Sequence, residues 1–319
     1  MLPNKNETNP FNLLISMIKP TEPIKDFNQL VEHLVERKIQ KRVAVVWPED
    51  GHTREAVEMA IQAGFIEPIF ICSKQSQELY GDRFQTILAD DPTDASVKAV
   101  ALVRDGGADV LMKGFVNTDV LLRAVLNKET GILPKGSVLT HVAAAKIPSY
   151  PKLIFFTDAA VIPYPTEEQR QAQIRYVVDF CHAFHVEKPK VSLIHCSEKV
   201  DAKHFPYTEG YLQLKEMAKE GVFGDCIVDG PLDLKTSCCA EALAIKKIDS
   251  PIGGEADALI FPNIEAGNLF YKSITLFADA EMAGLLKGPM VPVVLPSRGD
   301  SNKSKFYSLA LATMITIDS

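Results

Sequence analysis

Residues suited to binding phosphate directly follow two apolar runs of this 319-residue chain. Lys113 and Gly114 follow one run, and Ser297 and Arg298 follow another. A glycine lets the backbone approach an anion closely, and a lysine adds a full positive charge. An arginine can hold a phosphoryl group through two parallel hydrogen bonds. These residue types at these places indicate a site for a phosphorylated ligand.

Similar polar residues and glycines follow other apolar runs. Each of them, taken alone, is also explained as a turn former, a helix cap or a surface charge. Ligands of parallel α/β sheets bind beyond the carboxyl ends of the strands, so we expect these residues to meet at one edge of the sheet. The further candidates are Thr118, Asp158, Asn263, Gly267, Asn268 and Asp300.

The elements that must position these residues alternate along the chain. Short runs rich in Val, Ile and Leu indicate strands that are covered on both faces, and amphipathic patterns between them indicate helices. This alternation predicts an α/β fold with mostly parallel sheet and helices on both sides. The predicted strands are Lys41–Trp47, Ile66–Cys72, Ala108–Met112, Leu153–Thr157, Lys190–His195, Cys226–Asp229, Ala258–Phe261 and Val291–Leu295. A helix is predicted over Asn268–Ala283, among others.

The chain length predicts two domains, since one domain commonly takes about 100–200 residues. A proline-containing stretch at 147–151 is the best candidate for a crossing between them, and a second lies near 287–289. We therefore expect an N-terminal arm over 1–25 and a discontinuous first domain formed by 26–146 plus 288–319. The second domain then covers 147–287.

Composition excludes several classes of function. The net charge of -7 and the pI of about 5.6 argue against a nucleic-acid or anionic-membrane surface. No apolar run reaches the roughly 18 residues that span a bilayer, and no secretory signal pattern begins the chain. The six cysteines have no metal-type spacing, so we expect free thiols in a reducing cytoplasm. Neither a dinucleotide-binding GxGxxG nor a P-loop motif is present.

Two C-terminal segments together resemble a known family. The segments Gly254–Lys272 and Pro292–Ser301 are similar to the two signatures of the phosphate acetyl/butyryl transferase family. The residues around Lys113, Asp158 and Asp229 match weaker motifs of that family in the same order. The resemblance runs from about Val43 to the C-terminus and is closest to the butyryltransferase branch.

The resemblance implies a fold, a site and a reaction. The fold is that of the isocitrate and isopropylmalate dehydrogenases, with the active site in the interdomain cleft of a homodimer or larger assembly. The reaction converts acyl-CoA and phosphate to acyl phosphate and coenzyme A, with no metal or redox cofactor. The resemblance also adds Arg123 and Lys272 to the substrate-binding residues, and it implies catalytic roles for Ser297 and Arg298.

Two positions depart from the family pattern, and two other functions stay open. The acetyl branch carries an aspartate where this chain has Ser304, so the general base is unassigned; Ile162 replaces an asparagine that is frequent in relatives. One alternative is a non-catalytic domain that senses coenzyme A or acyl phosphate. The other is a metal-dependent dehydrogenase of related fold, which needs clustered aspartates and a nicotinamide-binding loop.

Overall fold

Eleven strands of the described part of the chain join in one sheet, and helices pack on both of its faces. The computed structural model describes residues 22–297 and 299–316, so most of the predicted N-terminal arm lies outside the described residues. The strands are β1 (Lys41–Val46), β2 (Ile66–Cys72), β3 (Gln85–Leu88), β4 (Val110–Lys113), β5 (Thr140–Lys146), β6 (Leu153–Thr157), β7 (Lys190–Ile194), β8 (Ile227–Leu232), β9 (Ala258–Ile260), β10 (Glu281–Lys287) and β11 (Val293–Val294).

The helices alternate with the strands along most of the chain. In chain order they are α1 (Phe27–Glu36), α2 (Gly51–Ala63), α3 (Lys74–Tyr80), α4 (Pro92–Arg104), α5 (Thr118–Val125), α6 (Glu167–Ala183), α7 (Tyr207–Lys219), α8 (Leu234–Cys238), α9 (Ala240–Lys246), α10 (Ile264–Phe277) and α11 (Asn302–Met314). The predicted α/β class is therefore confirmed.

Two parallel groups of strands make up the sheet, whose order is β3-β2-β1-β4-β11-β10-β5-β6-β9-β7-β8. Strands β3, β2, β1, β4 and β11 are parallel to one another, and so are β6, β9, β7 and β8. The chain completes most of the first group, builds the second, and returns to the first at β11. The exact domain boundaries stay a prediction.

Antiparallel pairs connect the two groups and reverse the strand direction. β11 is antiparallel to β10, β10 to β5, and β5 to β6. Three reversals leave the second group antiparallel to the first, so the carboxyl ends of the two groups lie at opposite edges of the sheet. The prediction that all the strand-end residues meet at one edge is therefore wrong.

The strands β3, β5 and β10 are absent from the sequence-based prediction. The helix predicted over Asn268–Ala283 ends at Phe277, and Asp279 adopts a left-handed conformation with φ of 49°. β10 then begins at Glu281 and pairs with β5 along all seven of its residues. Hydrogen bonding to neighbouring strands outweighs the helix preference of this Ala- and Leu-containing segment.

The two faces of the sheet are covered differently. One face carries a single continuous core that includes Val45, Val142 and Phe155. The other face carries two separate cores, one around Leu286 and one around Ala143. His141 pairs with Leu286 and Gly284 pairs with Ala143, so both lie on this second face, between the two cores. The gap between these two apolar cores leaves a cleft on this face of the sheet.

A buried carboxylate fixes the loop after β6. Asp158 is 1% exposed and follows Thr157 through a cis peptide bond. Gly267 of α10 packs against this loop so closely that a Cβ atom would lie 2.1 Å from the Asp158 carbonyl oxygen. The Asp158 carboxylate accepts hydrogen bonds from Thr140 Oγ1 at 2.7 Å and from the backbone N–H groups of His141, Ala160, Val161 and Ile162 at 2.7–3.2 Å.

Replacing Asp158→Asn is expected to destabilise the protein. The new amide NH2 group faces hydrogen-bond donors whichever way it is oriented, because both carboxylate oxygens accept such bonds. A buried donor without a partner costs about 1–3 kcal/mol, so the free energy of unfolding in urea should fall by about that amount. Asp105→Asn is the control, since Asp105 is largely exposed and its loss should change stability by less than about 0.5 kcal/mol. Equal stability of the Asp158→Asn protein and the wild type would contradict this role.

Candidate active site

Two neighbouring cavities have Ser297 in common. The larger cavity has a volume of about 620 Å³ and the smaller about 360 Å³. The larger cavity is lined by Trp47, Asp50, His52, Thr53, Asp91, Pro92, Thr93, Lys113, Gly114, Phe115, Val116, Asn117, Val120, Pro296, Ser297 and Lys305. The smaller cavity is lined by Tyr271, Lys272, Thr275, Ala280, Glu281, Met282, Ser297, Gly299, Asp300, Ser301, Lys303, Ser304 and Tyr307.

The larger cavity lies where the strands of the first parallel group end. Residues from the segments after β1, β3, β4 and β11 line it, and the helices α2, α4 and α5 begin beside it. This is the place where ligands bind in parallel α/β sheets. Its walls combine apolar side chains, such as Trp47, Phe115 and Val120, with the charged side chains of Lys113 and Lys305. Such a lining suits a ligand with an apolar part and an anionic part.

Lys113 and Gly114 form one wall of the larger cavity. Lys113 ends β4, is 5% exposed, and its Nζ atom lies 3.3 Å from the carbonyl oxygens of Gly114 and Val116. A Cβ atom on Gly114 would lie 2.5 Å from the Val46 carbonyl oxygen and 2.6 Å from that of Trp47. The position therefore requires glycine, because the ends of β1 and β4 run in close contact. The predicted Lys-Gly pair thus brings an ammonium group to the cavity.

A short turn holds Ser297 between the cavities. The Ser297 N–H donates to Asp300 Oδ2 at 2.7 Å, and the Asp300 N–H donates back to the Ser297 carbonyl oxygen at 3.2 Å. Ser301 then caps α11 by accepting a hydrogen bond from the Ser304 N–H at 3.1 Å. Arg298, predicted as catalytic, lies outside the described residues. The exposed Ser297 side chain is therefore positioned by the turn rather than by burial.

The smaller cavity brings Lys272 and Asp300 together with Tyr271. The Lys272 Nζ atom lies 5.2 Å from the centre of the Tyr271 ring, which is a cation–π distance. Burial raises the pKa of Tyr271 above its usual value, and the nearby Asp300 carboxylate adds to this shift. The shift favours the protonated Tyr271 hydroxyl still further, and a protonated hydroxyl can donate a hydrogen bond.

Several predicted residues line neither cavity. Asn263 caps α10 by accepting from the Ala266 N–H at 2.9 Å, and Asn268 Nδ2 donates to the Ala159 carbonyl oxygen at 2.9 Å. With Asp158 and Gly267 they fix the start of α10 at the opposite edge of the sheet, so their contacts are made within the protein.

Two further predicted residues, on α5, are exposed. Thr118 starts the helix, and Arg123 pairs with Asp119 at 3.5 Å, where both side chains are well exposed. Neither Thr118 nor Arg123 lines a cavity. The described residues thus bring together Lys113, Gly114, Ser297, Lys272 and Asp300 from the predicted set.

Sequence reasoning missed other cavity residues. Trp47 and Asp50 follow β1, so the same strand-end rule that selected Lys113 could have selected them. Asp91 follows β3, a strand that was not predicted. Lys305 lies inside α11, away from any strand end, and its place at the larger cavity depends on how α11 packs against α2 and β10.

The described residues show neither a cluster of metal ligands nor a helix that could span a membrane. No group of three or more His, Cys, Asp and Glu side chains is placed to hold a metal ion. None of the helices in 22–297 and 299–316 combines the length and apolar character needed to cross a membrane.

The chain is similar to known acyltransferases over most of its length. Residues 81–313 match the phosphate acetyl/butaryl transferase family. A phosphate butyryltransferase of Clostridium acetobutylicum is 36% identical over 301 residues, covering 92% of this chain and 98% of that protein. The crystal structure of a branched-chain phosphotransacylase from Enterococcus faecalis superposes with a TM-score of 0.75 at 30% identity, covering 86% of this chain and 99% of that one.

A more distant structure shares the fold alone. A 4-hydroxythreonine-4-phosphate dehydrogenase from Klebsiella pneumoniae superposes with a TM-score of 0.51 at 10% identity, over 86% of this chain and 99% of that one. This likeness agrees with the dehydrogenase-type fold predicted from the sequence. The matches to the family and to its members each cover more than two thirds of the chain. The chain therefore belongs to the phosphate acetyl/butaryl transferase family.

Proposed function

We propose that this protein is a phosphate acyltransferase of the butyryltransferase type. It converts a short acyl-CoA and inorganic phosphate to acyl phosphate and coenzyme A. The observation that carries the proposal is the family match over 81–313, which includes both the Lys113 wall of the larger cavity and Ser297, where the two cavities meet.

The two cavities suggest how the reactants are brought together. The larger cavity offers apolar walls and the charge of Lys113 to a phosphorylated or acylated ligand, and the smaller cavity opens on the other side of Ser297. We place the reacting thioester beside Ser297, since this residue is accessible from both cavities. Holding two reactants in contact can lower the barrier by roughly 7–11 kcal/mol.

The proposed chemistry is a direct transfer in a ternary complex. A phosphate oxygen attacks the thioester carbonyl carbon, so that a C–O bond forms and the carbonyl oxygen becomes negatively charged. The Ser297 hydroxyl donates a hydrogen bond to this oxyanion. The intermediate collapses by breaking the C–S bond, and coenzyme A leaves as a thiolate. No covalent intermediate with the protein is needed.

We assign Arg298 a role in this mechanism on the basis of its position in the sequence. It directly follows Ser297 after the last strand, and a guanidinium group matches two oxygens of a phosphate. We propose that Arg298 binds phosphate and neutralises its charge, with Lys113 adding a second positive charge. The exposed position of Arg123 outside both cavities does not support the substrate-binding role that the family resemblance implied for it.

We also propose that the reaction needs no redox cofactor, because acyl transfer from sulfur to oxygen leaves every oxidation state unchanged. We propose further that it needs no metal ion, because Lys113 and Arg298 supply the positive charge that a bound phosphate requires. The dehydrogenase alternative is disfavoured, since the relatives that are 30–36% identical are transferases, whereas the dehydrogenase structure is only 10% identical. The sensing-domain alternative is disfavoured because the chain keeps Ser297 and Lys113 at the cavities. A cytoplasmic location is proposed from the six cysteines, all of which are free thiols.

Purified protein should release free thiol from butyryl-CoA only when phosphate or arsenate is present. Thiol release can be followed with a chromogenic disulfide reagent, with and without EDTA, and EDTA should leave the rate unchanged. Equal release without phosphate would indicate a thioesterase instead. Loss of activity with EDTA, and its recovery with a divalent metal ion, would contradict the metal-free mechanism.

Replacing Ser297→Ala should lower kcat with little change in the KM for either substrate. One donor to the oxyanion acts mainly in the transition state, and its loss typically reduces kcat by about 10²–10³-fold. Ser149→Ala is the matched control, because Ser149 is exposed and lines neither cavity. A Ser297→Ala enzyme with wild-type kcat would remove Ser297 from the reacting centre.

The protein should assemble as a homodimer or a larger homo-oligomer. Leu269, Leu276 and Phe277 leave one side of α10 apolar, with exposures of 69%, 71% and 81%, and such patches often mark protein interfaces. Light scattering should therefore give at least twice the chain mass of 35.1 kDa. Phe277→Glu should weaken the assembly, whereas Ile245→Glu, which is 74% exposed on α9, should not. A wild-type protein that is monomeric at micromolar concentration would contradict the proposal.

A further inference from the structure

Lys305 has a buried positive charge without a close partner. The residue is 4% exposed and lines the larger cavity. Among the described residues its ion-pair partner is Asp50, whose Oδ1 atom lies 3.9 Å from the Lys305 Nζ atom. This distance is too long for a hydrogen bond. The same Asp50 oxygen already accepts a hydrogen bond from the Thr53 N–H at 2.8 Å.

Two physical effects make this position unfavourable for a lysine. Removing an ammonium group from water is costly unless hydrogen bonds or an opposite charge replace the water. Lys305 also lies in the first turn of α11, where the positive end of the helix dipole repels a cation. An anion in the larger cavity would relieve both effects at once.

The two carboxylates that line the larger cavity already accept hydrogen bonds from backbone N–H groups. Burial pushes the pKa of Asp50 upward, but the hydrogen bonds from Thr53 and the charge of Lys305 outweigh it, so the net pKa lies below its usual value. Asp91 accepts from the backbone N–H groups of Thr93 and Asp94 at 2.7 and 2.8 Å, as the cap of α4. Both carboxylates thus stabilise helix starts, while Lys113 adds a second cation to the same cavity.

We propose that Lys305 is a phosphoryl-binding residue, whose ammonium group contacts a phosphoryl group of the substrate bound in the larger cavity. This inference rests on the proposed acyl transfer and adds a residue to its site. The phosphoryl group belongs either to inorganic phosphate, and hence to the acyl phosphate product, or to the diphosphate of coenzyme A. Both present the same anionic oxygens, and Lys305 lies on the same β11–α11 segment as Ser297.

Kinetics of Lys305→Met test the proposal. Methionine has a similar length and no charge, so the packing of α11 is largely kept. We expect kcat/KM to fall by about tenfold or more, which is typical of a lost charge-assisted hydrogen bond. Lys305→Arg should recover part of the activity because it restores the charge. Lys219→Met is the control for loss of a positive charge, since Lys219 is exposed, pairs with Glu216 on α7 and lines neither cavity.

The substrate whose kcat/KM falls in the Lys305→Met enzyme identifies the molecule that carries the phosphoryl group. If Lys305 binds inorganic phosphate, the KM for phosphate rises and the loss persists with butyryl-pantetheine, which has no diphosphate. If Lys305 binds the coenzyme A diphosphate, the KM for butyryl-CoA rises and the loss disappears with butyryl-pantetheine. Either result supports the proposal. The proposal would be overturned if the Lys305→Met enzyme had KM and kcat/KM values within twofold of the wild type for both substrates.

A binding measurement separates this inference from the proposed reaction. Trp47 is the one tryptophan of the chain and lines the larger cavity, so its fluorescence should report ligands there. We expect titration with phosphate and with coenzyme A to give a larger Kd for Lys305→Met than for the wild type with one of the two ligands. The difference in Kd is expected even if the wild-type enzyme proves inactive in the thiol assay. Equal Kd values, or an equal loss for both ligands with a lowered melting temperature in both Lys305 variants, would overturn the inference.

Discussion

The antiparallel pairing of β5 with β10 determines where this molecule can bind ligands. The two strands pair over seven residues in the middle of the sheet and separate two parallel groups that run in opposite directions. The carboxyl ends of the first group, with Lys113 and Ser297, therefore lie at one edge. Those of the second group, with Asp158 and Asn263, lie at the other. The same central strands separate the two apolar cores on one face and leave the cleft between them.

Helix α10 connects the two edges. It starts after β9 at the far edge, where Asn263 caps it and Gly267 packs against Asp158. Its 14 residues span on the order of 20 Å, at 1.5 Å per residue. The C-terminal half of the helix thereby carries Tyr271 and Lys272 to the smaller cavity, beside the turn that holds Ser297. The buried network around Asp158 thus acts on the site indirectly, by fixing the start of this helix.

The sequence was sufficient to predict the class of the fold and part of the site, and the residues show why it went no further. Lys113, Gly114 and Ser297 each follow a strand that the apolar pattern reveals, and the strand-end rule placed them correctly near a cavity. β5 reads Thr-His-Val-Ala-Ala-Ala-Lys, and its alanines carry no strand preference. Without β5 and β10 the reversal of direction is invisible, so Asp158 and Asn263 were expected at the wrong edge. Lys305 follows no local rule at all, because packing of α11 alone brings it to the cavity.

The return of the chain to the first parallel group concentrates the proposed chemistry in one short segment. The segment that follows β11 carries Ser297 and Arg298, and Lys305 follows in the first turn of α11. The Ser297 N–H donates to Asp300 at 2.7 Å, and Ser301 accepts from the Ser304 N–H at 3.1 Å as the cap of α11. A phosphoryl group bound by Lys305 would consequently be held by the same segment of the chain that carries the serine. Charge and oxyanion donor would then lie on one segment of the chain, and groups fixed in advance in this way stabilise a transition state without reorganising. The segment can do this because α11 packs against α2 and β10, so its position depends on the central antiparallel strands as well.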